Sequence, residues 1–109
     1  MSNVLRVNID GARLVVADRS LWQYDYGQIL LPEGDLPESY EVHFSNHSST
    51  GRAIGRVGSP DGCIIPNDLL TTGLDIYAYI VVHAGQNDGQ TKCCIHIPVK
   101  ERSKPIISI

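Results

Sequence analysis

The stretch Tyr40-Glu41-Val42-His43-Phe44-Ser45 alternates large apolar and polar side chains residue by residue. A period of two places Tyr40, Val42 and Phe44 on one face of an extended chain and Glu41, His43 and Ser45 on the other, so it reads as a β-strand with one buried side. Before it, Pro32-Glu33-Gly34-Asp35-Leu36-Pro37 reads as a loop from its prolines and glycine. After it, Asn46 to Gly51 contains no apolar residue and reads as an exposed, mobile loop.

The same grammar extends in both directions. Leu5, Val7 and Ile9 alternate with Arg6, Asn8 and Asp10, and Leu14-Val15-Val16 follows, so residues 4 to 18 read as a hairpin turning at Asp10-Gly11. Gln28 to Leu31 is a short third strand, and Ile54 and Val57 mark a weak one before the turn Ser59-Pro60-Asp61-Gly62. Cys63-Ile64-Ile65 leads to a segment opened by Pro66 and closed by Gly73, the asymmetry of a single helical turn. Asp75 to His83 is apolar on both faces, as expected of a central strand covered on both sides. It pairs with Thr91 to Val99 as the strongest hairpin of the chain, across the loop Gly85 to Gly89. The sum is an all-β fold: an antiparallel β-sandwich of immunoglobulin-like or related topology, with seven to eight short strands and at most one short helical turn. A small closed barrel is the alternative.

The chain has 109 residues, 42% of them hydrophobic and 19% charged, which fits one domain with one core. We divide it into a domain at 1–101 and the start of a linker at 102–109 toward a further C-terminal region. A net charge of −3, with the signs interspersed, gives no field that would gather nucleic acid or an anionic membrane. The basic tail Lys100 to Lys104 reads as solvated linker, and no apolar run approaches the roughly 18 residues of a membrane span. Three cysteines, with Cys93 and Cys94 adjacent, read as free and mostly buried thiols.

Candidate chemistry is sparse. His43 and His47 lie four apart, but not on a helix; His83 and His96 fall on strands expected to pair, where cross-strand packing explains them better than a metal. No nucleophile elbow or phosphate loop is present, and neither a catalytic residue, a cofactor nor a metal is assigned. Asn46-His47-Ser48 fits the glycosylation pattern by chance. The densest cluster is Trp22 with Tyr24-Asp25-Tyr26-Gly27-Gln28. Its aromatics read as core or interface packing, and Asp25 and Gln28 as bonding backbone groups that the turn leaves unpaired. Disrupting Tyr24 or Tyr26 is then expected to lower stability more than binding.

The order of these pieces carries a resemblance over nearly the whole chain. Trp22 to Gln28 is followed by Leu36-Pro37, Tyr40 to Asn46, Asp61-Gly62, Ile65 to Gly73, Asp88 to Thr91 and Ile97-Pro98-Val99. This resembles the N-terminal domain of the baseplate upper proteins of phages and prophages that infect Gram-positive bacteria. The resemblance implies a non-enzymatic virion component, made in the host cytoplasm and placed at the tail tip or baseplate, that anchors a host-facing fibre. Its implied partners are other tail or baseplate proteins of the distal tail or tail-tip ring, with homo-oligomers in the full-length protein and neither nucleic acid nor membrane. The signature positions are Trp22, Tyr24, Asp25, Tyr26, Gly27, Gln28, Tyr40, Phe44, Pro66 and Gly73. Contacts are expected from the sandwich edges and from the loops at 32–37, 46–51 and 85–89. The rival reading is a carbohydrate-binding β-sandwich module for host-surface glycans, which would display Trp22, or Tyr77 and Tyr79, to solvent, where an adaptor is expected to bury its aromatics and give no glycan signal.

Overall fold

A computed structural model describes residues 3–47, 51–83 and 88–106. Ten strands and one short 3₁₀ turn are found among them. The strands are β1 (Val4–Asn8), β2 (Leu14–Val16), β3 (Leu21–Trp22), β4 (Ile29–Glu33), β5 (Tyr40–Ser45), β6 (Ile54–Gly58), β7 (Cys63–Ile64), β8 (Ile76–His83), β9 (Gly89–Ile97) and β10 (Val99–Lys100). They form a five-stranded sheet in the order β2-β9-β8-β5-β6, a three-stranded sheet β1-β4-β7 and a two-stranded ribbon β10-β3.

The period-two patterns do what they require. Tyr40, Val42 and Phe44 of β5, Ile76, Ala78 and Ile80 of β8, and Cys93, Ile95 and Ile97 of β9 are all buried on the inner face of the five-stranded sheet. They share one core with Leu5, Val7, Leu30 and Cys63 of the facing sheet. Each fully buried Leu, Ile or Phe contributes roughly 1.5–3 kcal/mol relative to exposure, so this seam is the main source of stability. The all-β sandwich expected from the sequence is the architecture found.

Strand direction differs from the expectation of a purely antiparallel fold. β1 runs parallel to β4, β2 parallel to β9 and β3 parallel to β10, while the other four pairings are antiparallel. The segment 4–18 is therefore no hairpin. Gly11, at φ 71, does provide a turn, but it sends β1 into one sheet and β2 to the edge of the other. Alternation reports which face of a strand is buried and is silent about which neighbour it pairs with.

Two further boundaries move. β4 continues through Pro32 into the expected loop. Ile29 donates its N–H to Asn3 and Glu33 accepts from Ile9, so odd residues of β4 face β1 and Pro32 turns its missing donor to the side that β7 has already left. Asn46 is half-buried and its amide donates toward the carbonyls of Leu69, Leu74 and Asp75, so it is a clamp on the following turn; positions 48–50 of that loop lie outside the described residues. The 85–89 loop is likewise outside them up to residue 87. Strand β8 is central, as expected, but its outer face is only partly covered, with Tyr77 and Tyr79 half-exposed.

The turn opened by Pro66 is the 3₁₀ segment Asn67–Thr71, and Gly73 follows it at φ 73. Gly58 has a different duty. A Cβ at that position would lie 2.2 Å from the Tyr40 ring, which packs flat across the glycine from the paired strand while its hydroxyl donates to Ser59 O. Gly58→Ala should therefore destabilise the domain by about 1–3 kcal/mol, because a buried ring has no room to retreat. Urea unfolding of the variant beside Tyr40→Phe, which loses one hydrogen bond and about 1 kcal/mol, checks this.

Candidate interaction surfaces

The Trp22 to Gln28 segment is built around Gln23, whose four polar groups are all engaged. Its N–H donates to Lys100 O, its side-chain amide donates to Thr71 O, its Oε1 accepts from the Arg102 N–H, and its backbone carbonyl accepts from Arg102 Nε at 2.7 Å. Tyr24, held at φ 71, is the one non-glycine with positive φ among the described residues. A left-handed residue of this type costs on the order of 1 kcal/mol, and it persists because Tyr24 N–H donates to Leu70 O and Asp25 closes the turn. The Asp25 carboxylate accepts from Trp22 N–H while Asp25 N–H donates to Trp22 O. Gln28 donates to Tyr26 O, so both polar side chains serve the turn as expected.

This scaffold presents rather than buries its aromatics. Trp22 is 47% exposed and Tyr26 49% exposed, so of the expected alternatives, core or interface packing, the core one does not hold for them. Lys100 Nζ lies 5.3 Å from the Trp22 ring centre, Arg102 sits 5.7 Å from that of Tyr24, and Tyr24 meets Tyr26 edge-on at 6.5 Å. Gly27 takes φ 74 and receives Asn67 Oδ1 on its N–H. Through these bonds and the Tyr24 bond to Leu70, the segment from Pro66 to Gly73 and the segment from Trp22 to Gln28 form one unit. Tyr40 and Phe44 belong elsewhere, in the core. Lys100 and Arg102 were legible only as a basic tail; the parallel β3-β10 pairing that brings them onto the aromatics joins residues far apart in the chain and leaves no local signal. Arg102 is docked on the domain, while Ser103 to Ile106 are exposed and without regular structure.

A second feature lies at the other end of β4. A groove of about 460 Å³ is lined by Leu31, Pro32, Leu36, Pro37 and Tyr40, with Glu33 and Glu38 among its polar groups. Arg6 pairs with Glu33 at 3.3 Å. Asp10 accepts the Asp35 N–H beside it, and Lys92 donates to the Asp35 carbonyl.

The third is the outer face of the five-stranded sheet. Leu14, Val16 and Val57 on its edge strands are 66%, 55% and 72% exposed, flanking Tyr77 and Tyr79. Strands β8 and β9 pair as expected, but His83 and His96 do not face one another: His83 lies opposite Gly89 and His96 opposite Tyr77. His43 and His83 each place Nε2 on one oxygen of Glu41, at 2.9 and 2.6 Å. These bonds, from His43 first and then His83, hold the Glu41 carboxyl below its ordinary range. His96 stacks on Tyr77 at 4.7 Å and meets Asp75 at 2.7 Å. Burial pushes the Asp75 carboxyl up, but the Val99 N–H and His96 together outweigh it and the net shift is downward. Among the described residues no group of three ligating side chains is arranged to hold a metal. Cys63, Cys93 and Cys94 are free, and burial raises all three, Cys63 to about 11, so they stay neutral thiols.

No family model, curated protein or solved structure matches the chain.

Two outcomes follow from these placements. Asp75 has a lowered folded pKa, so its contribution to stability is present above the unfolded value and is lost as pH falls through the folded one. Melting curves taken from about pH 5 down to about pH 3 should show a smaller acid-induced drop for Asp75→Asn than for the wild type; matching acid limbs would refute the assignment. Tyr26→Ala, at a half-exposed ring, should move the urea midpoint by no more than about 1 kcal/mol of stability, in contrast to the sequence expectation.

Proposed function

We propose that this chain is a non-enzymatic β-sandwich adaptor, a structural component of a phage tail baseplate or tail fibre that fastens a host-facing region to the tail tip. The order of sequence pieces described above motivates the phage assignment. The adaptor role is supported by one structural observation in particular: large apolar and aromatic side chains stand exposed on well-ordered strands and turns, at Leu14, Val16, Trp22, Tyr26 and Val57. Leu14 and Val16 stand together on the edge strand β2, and Trp22 and Tyr26 together on the aromatic turn, and such exposed apolar groups suit contact sites. Strand β8 adds to this, because its sequence is apolar on both faces and its outer face is only partly covered, with Tyr77 and Tyr79 half-exposed. Partners of the adaptor are other tail or baseplate proteins, copies of itself included. No helix among the described residues is long and apolar enough to cross a membrane.

The exposure of Trp22 favours a second reading, the glycan-binding module. The two readings separate on a glycan array probed with the wild type and Trp22→Ala. The adaptor gives no saturable signal from either protein; a signal that saturates for the wild type and disappears in the variant would establish the glycan module instead. Tail-tip, tape-measure and lysis genes beside the coding sequence are the expected genomic setting of the adaptor, and a sugar-utilisation operon would overturn it.

A further inference from the structure

We infer that two copies of this chain join edge to edge through β2, antiparallel about a two-fold axis at Val15, so that Leu14 of each copy lies opposite Val16 of the other. The inference deepens the adaptor reading and rests on it only for the place of the contact in an assembly; the contact itself is tested without it.

The open edge follows from the register. β2 is the end strand of the five-stranded sheet, and its one neighbour, β9, runs parallel to it. Cys94 donates its N–H to Arg13 O and Ala17 donates its N–H to His96 O, so the odd residues of this stretch carry the bonds to β9. Backbone groups alternate in direction along a strand, and the N–H and C=O of Leu14 and Val16 therefore turn to the side where no described strand lies. Their side chains stand exposed on the outer face, while Val15 packs toward the core. The strand holds no lysine, proline or bulge, the devices that ordinarily keep such an edge from pairing.

A second copy of β2 fits this edge because the edge is complementary to itself. In an antiparallel pairing centred on Val15, Leu14 of one copy and Val16 of the other exchange both of their backbone bonds, and the two-fold repeats the exchange on the far side of the axis. Every outward backbone group of Leu14 and Val16 is then paired. Leucine meets valine twice on the outer face, and Val15 meets Val15 on the inner one. The flanking charges agree. Arg13 lies beside Tyr79 and Cys94 on the outer face, and Asp18 continues the parity of Leu14 and Val16. Both are exposed, and neither has an ion-pair partner among the described residues. This register brings Arg13 of each copy beside Asp18 of the other, whereas Arg19 is turned onto Val4 O.

The opposite edge of the sheet lacks this property. β6 reads Ile54-Gly55-Arg56-Val57-Gly58, and an antiparallel self-pairing about its middle sets Arg56 against Arg56, a like-charge pair that destabilises. Its two glycines weaken it further as a strand to build on. A contact from β2 to β6 would be heterologous and would continue as a ring or a filament, whereas self-pairing of β2 closes as a dimer. A strand of three residues covers less than the roughly 1,200 Å² of a standard interface, so the dimer of this chain alone is weak and fills toward millimolar concentration.

The test is sedimentation velocity of the 109-residue chain over a micromolar to millimolar series, with amide NMR spectra of the same samples. The expected result is a monomer–dimer equilibrium in which the N–H groups of Leu14 and Val16 become protected from exchange as concentration rises, while those of Val15 and Ala17 are protected throughout. Val16→Pro removes an N–H that faces the open edge and none that bonds β9, so the monomer should keep its fold by circular dichroism. Association should fall at least about tenfold, since two of the contact's four bonds are lost. Arg13→Glu and Asp18→Arg, both at exposed positions, should each weaken self-association several-fold. An equimolar mixture of these two should recover it, because opposite charges then meet at both ends of the contact, and recovery shows that both variants are folded. A chain that stays monomeric to millimolar concentration, association indifferent to the proline and to both reversals, or protection that appears on β6 in place of β2 would overturn the β2 dimer and leave the adaptor reading standing. The glycan array described above decides the adaptor reading separately.

Discussion

The apolar seam between the two sheets is the constraint on which the rest of the molecule depends. Val42, Phe44, Ile80 and Ile95 from one side close against Leu5, Val7, Leu30 and Ile65 from the other, and all are nearly or wholly removed from water. Because the seam fixes the inner face of every long strand, it also fixes which side chains stand outside. The Glu41, His43 and His83 arrangement and the Tyr77 stack on His96 are consequences of that choice, since each sits on the reverse of a core strand.

A second level of organisation comes from the parallel pairings. The turn at Gly11 hands the chain from one sheet to the other, and the return of β10 alongside β3 carries Lys100 and Arg102 onto the aromatic turn. Gln23 then joins three separate stretches of chain, its own turn, the 3₁₀ segment and the C-terminal strand, by hydrogen bonds from every polar group it has. A half-exposed cluster held this firmly is costly to maintain unless the surface it makes is used. The adaptor proposal gives it such a use.

How much of this could be read in advance varied with the range of the signal. Alternation at Leu5, Val7 and Ile9 and at Tyr40, Val42 and Phe44 picked out buried residues correctly, and Pro66 and Gly73 bracketed the 3₁₀ turn. The Asp10-Gly11 dipeptide marked a real turn but misdirected the pairing. Trp22 and Tyr26 were read as packed in the core or at an interface, and the Asp25 and Tyr24 bonds that turn their local chain outward remove the core alternative. The histidines were paired by their place on neighbouring strands, and the carboxylates that bind them, Glu41 and Asp75, were passed over.

The sequence by itself determined the all-β class, the inner faces of the main strands and the position of the 3₁₀ turn, because each of these follows from interactions between residues close in the chain. Only the tertiary structure decided strand direction, the exposure of the aromatic turn and the seating of Lys100 and Arg102 on it. Those depend on contacts between residues tens of positions apart, and a period of two carries no information about which distant strand lies alongside.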